Sequence, residues 1–266
     1  MNLINNNTIK KSLILFFVLA LSSCSLFPEK KSDDETEGWS AERLYYEAKD
    51  ALDSGYYVEA VGLYQKLQAR YPFGKFSRQA QLDLAYSYYK QEETVAAIAA
   101  CNRFIKLYPT HPRVDYAYYL KGLSLFNQGK GLIDRYIPKD DSQRDPGAAL
   151  GAFREFSQLA KRYPNSDYVP DARQRMVFLR NGLAQHEVNV AEYYLRRNAF
   201  VAAANRARYA VENYQQAPAI PDALILMAKA YKILGMTDLS NDAIRVLEEN
   251  FPKHPRIAEV QAIRFN

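Results

Sequence analysis

The sequence predicts an all-α protein: a right-handed superhelical solenoid of five helix pairs, followed by a C-terminal capping helix. An aromatic residue followed by proline, or once by glutamine, recurs along the chain at Tyr71, Tyr108, Tyr163, Tyr214 and Phe251. Nine positions after each aromatic comes a small or apolar residue: Ala80, Ala117, Ala172, Ala223 and Val260. The aromatics are 37, 55, 51 and 37 residues apart, which indicates a 37-residue unit with insertions of 18 and 14 residues. A repeat of this length is typical of stacked helix pairs, and nothing in the pattern indicates a strand.

The first unit follows the tetratricopeptide pattern. Ala48 and Ala60 leave room for two antiparallel helices to pack closely, and Gly55 lies where the turn between them is needed. A proline closes the unit because proline cannot continue a helix. We therefore expect helices over about 39–53 and 57–70.

The next two units depart from this pattern at the turn. The second unit keeps alanine at both close-packing positions but has Glu92 in place of the turn glycine. The third unit reaches its turn at Gly129, and its second helix is predicted to restart only at Gly147. Residues 130–146 are therefore the insertion, which is 18 residues long when counted to the turn glycine Gly147, and their two prolines and dense charge predict a projecting loop.

The fourth unit contains the other insertion. Ala172 lies 14 residues too far upstream, which is close to four turns of helix, so the insertion lengthens a helix without rotating its apolar face. We expect one long helix over about 167–197, followed by Asn198 in place of the turn glycine and Gln215 in place of the proline. The fifth unit is regular, and after Pro255 only a short capping helix can follow.

The N-terminus has the features of a lipoprotein signal. Lys10 and Lys11 precede an apolar run over 13–21, which is shorter than the roughly 20 residues needed to span a bilayer. The run ends in Leu21-Ser22-Ser23-Cys24, which resembles a bacterial lipobox. We therefore expect cleavage before Cys24 and lipid attachment to it, which would anchor the protein on a membrane without spanning it. An ordinary secretory signal with an incidental cysteine is the alternative.

The residues after the predicted cleavage point indicate where the anchor is placed. An aspartate directly after the lipidated cysteine typically retains a lipoprotein in the inner membrane, but here Ser25 follows Cys24. Resemblance to this sorting rule therefore favours the outer membrane and its periplasmic face. The following stretch is polar, charged and aperiodic, as expected of a flexible tether. The predicted segments are a signal peptide (1–23), a lipidated tether (24–38), N-terminal repeats (39–129), the inserted loop (130–146) and C-terminal repeats (147–266).

No catalytic or cofactor motif is present. His111 and His254 precede prolines in equivalent turns between repeats, and His186 lacks the second histidine of a zinc-protease helix. The acidic residues of the inserted loop lack the spacing of a calcium-binding loop. A net charge of +5 spread over 266 residues does not indicate a nucleic-acid partner. We therefore expect a non-catalytic protein without metal or cofactor.

The first helices of the N-terminal repeats predict an aromatic groove. Arrays of helix pairs usually bind through a concave face lined by the first helix of each pair. The repeat offsets assign to this face Tyr45, Lys49, Tyr86, Tyr89, Lys90, Tyr116, Tyr119 and Phe126. Rings with neighbouring cations suit an extended peptide with aromatic side chains and a free carboxylate. Alternatively, most of these rings fill gaps between repeats.

The same offsets give the C-terminal repeats a charged surface. The candidate docking residues for a folded partner are Glu192, Arg196, Arg197, Lys229 and Lys232. A charged surface suits a folded protein partner. Solvated helix faces have the same composition, so this alternative stays open.

Several runs are more specific than the general tetratricopeptide pattern, which does not predict them. They are Arg70 to Gly74, Asp83 to Tyr86 through Tyr89 and Lys90, Arg103 to Ile105 with Tyr108 to Pro112, Arg144 to Pro146, Tyr163 to Ser166, Val190 to Tyr194, and Val201 to Ala203 with Asn205 and Arg206. In these runs the chain resembles the BamD (ComL) family of outer-membrane β-barrel assembly lipoproteins. The resemblance covers the lipobox and essentially all of the mature chain.

The resemblance implies a five-repeat scaffold in the complex that inserts β-barrels into the outer membrane. Its N-terminal repeats would bind the C-terminal signal of unfolded outer-membrane proteins, which ends in an aromatic residue. Its C-terminal repeats would dock a POTRA domain of BamA, with Arg206 in the docking surface, and further assembly lipoproteins would bind elsewhere. Two other functions fit a periplasmic repeat lipoprotein: regulating cell-wall synthesis enzymes, or escorting a secretin or pilus component.

Overall fold

A computed structural model describes residues 34–128, 146–258, 260 and 262. All regular secondary structure in these ranges is helical. Ten helices follow one another: α1 (Ala41–Asp53), α2 (Tyr57–Arg70), α3 (Lys75–Lys90), α4 (Thr94–Leu107), α5 (Val114–Asn127), α6 (Pro146–Arg162), α7 (Val169–Arg196), α8 (Phe200–Asn213), α9 (Ile220–Ile233) and α10 (Thr237–Asn250). They form five pairs, as the repeat predicts, and belong to one compact unit that begins at Ser40.

The order of packing is that of a helical-repeat solenoid. Each helix packs against the next one in the chain, and the first helices of successive pairs also touch, α1 with α3, α3 with α5, and α7 with α9. Contacts between neighbouring repeats therefore build the array, and the first helices share one face.

The turns between the two helices of a pair have the same backbone conformation whether or not they contain glycine. Gly55 and Gly235 have φ of +83° and +73°, and Glu92 and Asn198 at the equivalent positions have φ of +63° and +60°. In each turn the next N–H donates to the carbonyl five residues earlier, for example from Glu93 to Tyr88 at 3.0 Å. This bond ends the helix and fixes the left-handed residue. The turn geometry is thus kept where the glycine is not.

Glu92→Gly is expected to stabilise the protein by about 0.5–1 kcal/mol. A left-handed conformation costs an L-residue about 1–2 kcal/mol, and part of this gain is lost to the greater backbone freedom of glycine in the unfolded chain. Urea denaturation measures the change. The control is Asn198→Gly, for which a smaller gain is expected because asparagine tolerates this conformation better. An equal or larger gain at position 198 would contradict the explanation.

Small residues allow the two helices of each pair to approach. Ala48, Ala85, Ala191 and Ala228 are fully buried at equivalent positions of four first helices. Gly122 occupies this position in the third pair, and the ring of Phe156 fills the space that a methyl group would take. The third pair thus has glycine instead of alanine because the ring of Phe156 leaves no room for a methyl group.

Helix α7 connects two hydrophobic cores. The first core joins α3 to α7 and includes Ala172 and Leu179. The second joins α7 to α10 and includes Leu183 and Ala191. The long helix was predicted over about 167–197 and is observed over Val169–Arg196, so the 14-residue insertion is helical as expected. The N-terminal and C-terminal repeats are therefore joined by one continuous helix.

The remaining predicted segments lie largely outside the described residues. These include the signal peptide, Cys24 and most of the tether, of which residues 35–38 form a turn. The inserted loop over 130–146 is likewise outside, apart from Pro146, where α6 begins. The predicted capping helix begins with residues 257 and 258, and Val260 is buried in the second core.

Candidate binding groove and docking surface

The six predicted groove aromatics are all half-buried and lie on α1, α3 and α5. They are Tyr45, Tyr86, Tyr89, Tyr116, Tyr119 and Phe126. Each contacts residues of a neighbouring helix while keeping part of its surface exposed. The two interpretations of these rings, packing between repeats and lining a groove, are therefore compatible. We call these residues, with the helix face that carries them, the aromatic face.

Tyr45 links the first repeat to the second through a buried carboxylate. Its hydroxyl donates to Oδ2 of Asp83 at 3.0 Å, and Gln79 Nε2 donates to Oδ1 at 3.1 Å. Burial raises the pKa of Asp83, and the two hydrogen bonds oppose this rise. Burial and the adjacent Asp83 also raise the pKa of Tyr45. Both oxygens of the Asp83 carboxylate therefore accept hydrogen bonds from within the protein.

The middle of the aromatic face is formed by α3 and α5. Tyr86, Tyr89 and Tyr116 pack against the small buried cluster that contains Cys101. The rings of Tyr86 and Tyr89 stack with centroids 6.4 Å apart, and Asn127 Nδ2 donates to the Tyr89 hydroxyl at 3.1 Å. These rings rest on a packed base and present an apolar surface in a fixed orientation.

Tyr168, which directly precedes α7, and the first turns of α7 extend the aromatic face with residues that the repeat offsets missed. The ring of Tyr168 stacks on Tyr119 at 4.8 Å, and the Tyr119 hydroxyl donates to Asp171 Oδ2 at 2.7 Å. Arg175 Nε donates to the same carboxylate oxygen at 2.6 Å. Burial, together with Asp171, raises the pKa of Tyr119 to about 12. The hydroxyl therefore remains protonated at neutral pH.

Phe126 continues this arrangement. Its ring lies between the guanidinium of Arg175, 5.1 Å from the centroid, and the ring of Phe178 at 5.7 Å. The offsets could not locate these α7 residues because the insertion displaces them from the repeat register. The signal in the sequence that could have located them is the i, i+4 spacing of Asp171 and Arg175, which form an ion pair on one helix face.

The two predicted groove lysines both have partners. Lys49 pairs with Asp53 one turn later on α1. Lys90 is exposed, and its ammonium lies 5.4 Å from the ring centre of Tyr57 on α2. Besides Arg175, one more cation lies on the aromatic face that the offsets did not select: the guanidinium of Arg113 is 5.2 Å from the ring centre of Tyr116.

The predicted docking residues lie on three consecutive helices. Glu192, Arg196 and Arg197 are exposed around the C-terminal end of α7, where Glu192 and Arg196 pair at 3.5 Å. The Arg197 guanidinium lies 5.5 Å from the ring centre of Tyr193, which is itself 48% exposed. Half-exposed Lys229 and Lys232 lie on α9.

Arg206 on α8 differs from the other docking candidates because it pairs with a buried group. Its Nη1 lies 3.2 Å from Oε2 of Glu187 on α7, and Glu187 is only 6% exposed. The guanidinium is half-exposed, so it can also contact a partner. Reasoning from the sequence missed Glu187, a single charge on an otherwise apolar helix face.

The described residues contain no group of three histidine, cysteine or acidic side chains arranged to hold a metal ion. None of the described helices has both the length and the apolar composition needed to cross a membrane.

The helix pairs and their extended faces define a tetratricopeptide-like repeat protein, a class that usually binds other polypeptides. The chain belongs to the YfiO family, described as an outer membrane lipoprotein, whose model matches residues 38–261. It is 45% identical over 238 residues to the outer membrane protein assembly factor BamD of Neisseria meningitidis serogroup A, covering 89% of each chain. It is 37% identical over 233 residues to the protein of the same name from Vibrio cholerae, covering 88% of this chain and 96% of the relative.

Among solved structures, the chain is similar to a thermophilic tetratricopeptide-repeat protein of Thermus thermophilus. The match has a TM-score of 0.39 and 13% sequence identity, and it covers 85% of this chain and all of the other.

Proposed function

We propose that the protein is a non-catalytic scaffold in the machinery that assembles outer-membrane proteins. The observation that carries the proposal is the family match over residues 38–261, together with 45% identity to a relative named as an outer membrane protein assembly factor. The fold is consistent with this role, since it offers two separate surfaces joined by the continuous helix α7. Such a scaffold needs no cofactor.

The N-terminal repeats bind the C-terminal signal of unfolded outer-membrane proteins. The aromatic face supports this assignment because its rings are held by neighbouring side chains yet remain partly exposed. Preoriented rings bind a peptide's aromatic side chains at a low cost in conformational entropy. An unfolded substrate loses much of its own freedom on binding, so a prearranged surface lowers the total cost.

The C-terminal repeats dock a folded partner, a POTRA domain of a BamA-type barrel protein. Exposed charges on α7, α8 and α9 suit such an interface, and exposed Tyr193 and Val201 add apolar contact area between them. Other assembly lipoproteins bind elsewhere on the solenoid. A lipid on Cys24 holds the protein at the periplasmic face of the outer membrane.

Crosslinking in intact cells, followed by affinity purification, tests the scaffold role. We expect to recover a BamA-type barrel protein together with nascent outer-membrane proteins. Recovery of cell-wall synthases without a barrel protein would instead identify a regulator of cell-wall synthesis. Recovery of a secretin or pilus component would identify an escort protein. Either result would refute the proposal.

Tyr86→Ala combined with Tyr89→Ala is expected to weaken binding of a barrel-derived C-terminal peptide by more than about 10-fold. Aromatic residues at the centre of an interface commonly contribute about 2 kcal/mol each, and 1.4 kcal/mol corresponds to a factor of ten. Fluorescence anisotropy with a labelled peptide measures the affinity. The matched control is Tyr209→Ala, which removes an exposed ring from α8 and should leave the affinity unchanged. Unchanged binding by the double variant would show that these rings only pack between repeats.

Cys24→Ser is expected to abolish lipid attachment. A protein without its acyl chains loses its membrane anchor, since no described helix can replace it. Metabolic labelling with a radioactive fatty acid, followed by membrane fractionation, measures both effects. The variant should be unlabelled, and it should be either soluble in the periplasm or unprocessed. Labelled variant protein in the outer membrane would contradict the assignment.

A further inference from the structure

Arg113 and Lys90 are the two cations of the aromatic face that form no ion pair with an acidic side chain among the described residues, and Lys90 lies against the ring of Tyr57 on α2. Lys49 pairs with Asp53, and Arg175 pairs with Asp171. Arg113 directly precedes α5, is exposed, and lies over the ring of Tyr116. Its charge is therefore available to an anion from outside the chain.

The surroundings of Arg113 place it where three first helices meet. Its charge acts on Tyr45 of α1 and on Asp83 of α3, in addition to its contact with Tyr116 of α5. Burial lowers the pKa of His111, and the charges of Arg78 on α3 and of Arg113 lower it further. Two arginines thus lie near His111 at this end of the aromatic face, and the nearby carboxylate of Asp83 is buried and already hydrogen-bonded.

We propose that Arg113 binds the C-terminal carboxylate of the peptide that occupies the aromatic face. This inference rests on the proposed peptide-binding function and adds the group that recognises the end of the chain. A guanidinium offers two parallel N–H donors that match the two oxygens of a carboxylate. The terminal aromatic side chain of the peptide then packs against Tyr116, which contacts Arg113, and against Tyr86, which packs on the same small cluster as Tyr116.

Stacking on Tyr116 prepares the guanidinium for this role. A planar cation held against a ring loses less side-chain freedom when it binds than a free arginine does. Because Arg113 is exposed, its bond to the carboxylate is also weakened by salt. A peptide amide would keep the ring contacts and lose this bond. The subsite therefore distinguishes a chain end from an internal segment of the same sequence.

A purely structural role for Arg113 makes a different prediction. Its charge could serve only to neutralise buried Asp83. Removing it would then disturb the whole aromatic face, and all peptides would bind more weakly by a similar factor. A carboxylate subsite instead affects only peptides with a free C-terminus.

Anisotropy with two versions of one peptide separates these roles. The probe is a labelled ten-residue peptide ending in phenylalanine, prepared as the free acid and as the C-terminal amide, and the protein is the full-length chain in detergent. We expect the free acid to bind about 10-fold more tightly than the amide, with the difference decreasing as salt increases. Arg113→Met should weaken acid binding to the level of the amide without changing amide binding. Arg113→Lys keeps the positive charge but not the two parallel N–H donors, and it should retain part of the preference for the free acid over the amide.

The control is Arg103→Met, which removes an exposed arginine from α4 and should retain the full preference. Equal binding of acid and amide by the unmodified protein overturns the carboxylate subsite but leaves the peptide groove in place. Equal weakening of both peptides by Arg113→Met overturns it in favour of the structural role. If neither peptide binds the unmodified protein, the proposed groove itself fails.

Discussion

Gly122→Ala is expected to lower the free energy of unfolding by about 1–3 kcal/mol, whereas Gly182→Ala is expected to raise it by about 0.5–1 kcal/mol. Both glycines lie within helices, α5 and α7, so alanine improves the helix propensity at each position equally. The opposite signs arise from what the new methyl group meets. At Gly182 it would meet no atom within 4 Å beyond its chain neighbours and the backbone of its own helix, and at Gly122 it would lie 2.5 Å from Cε1 of Phe156.

Phe156 cannot easily move away from this contact. Its side chain is fully buried in the first core and is among the largest buried groups of the protein. A close-packed interior accommodates an additional methyl group only by shifting a helix or by forcing side chains off their preferred rotamers. The strain should fall on the α5–α6 pair, which carries part of the aromatic face.

A smaller partner residue should relieve the strain. We expect Gly122→Ala to be better tolerated when combined with Phe156→Leu, so that the two changes are not additive in a double-mutant cycle. Urea denaturation of the four proteins, with unchanged slopes, measures the coupling. Additive losses would show that the ring and the glycine do not interact as described. A stabilising effect of Gly122→Ala alone would contradict the close approach.

Local repetition explains why the helices could be predicted. The first pair was expected over about 39–53 and 57–70 and is observed over Ala41–Asp53 and Tyr57–Arg70. Each repeat carries its own small residues, turn and closing aromatic, so each helix end is encoded within about ten residues. The same turn forms at Glu92 because the hydrogen bonds of the helix end, and not glycine alone, determine its conformation.

The partners of the aromatic side chains could not be predicted in the same way. Tyr119 bonds with Asp171, which lies 52 residues later and beyond both the inserted loop and the start of the lengthened helix. Offsets taken from a regular repeat fail across such insertions. Arg113 was missed for another reason. It lies in the turn before α5, and the offsets consider only positions within the helix. The roles of all these side chains in binding stay predictions.

Arg206→Gln is expected to lower the free energy of unfolding by about 1–2 kcal/mol. Breaking a fully buried ion pair costs about 3–5 kcal/mol because one charge is left without a partner in a medium of low dielectric. Glu187 is buried in this way, but the side chain of Arg206 is 48% exposed, so water reaches one side of the pair and reduces the cost. Denaturation in urea measures the loss, and Arg208→Gln, on the exposed side of the same helix, should have little effect.

The loss should disappear when the buried charge is also removed. Glu187→Gln in the Arg206→Gln background leaves a neutral amide that can hydrogen-bond without a cation, and we expect it to recover most of the lost stability. The double variant also separates folding from docking. If Arg206 contacts the partner directly, the stabilised double variant still binds it weakly. If Arg206 only neutralises Glu187, the double variant binds normally, and the docking surface must then be assigned to the exposed charges of α7 and α9.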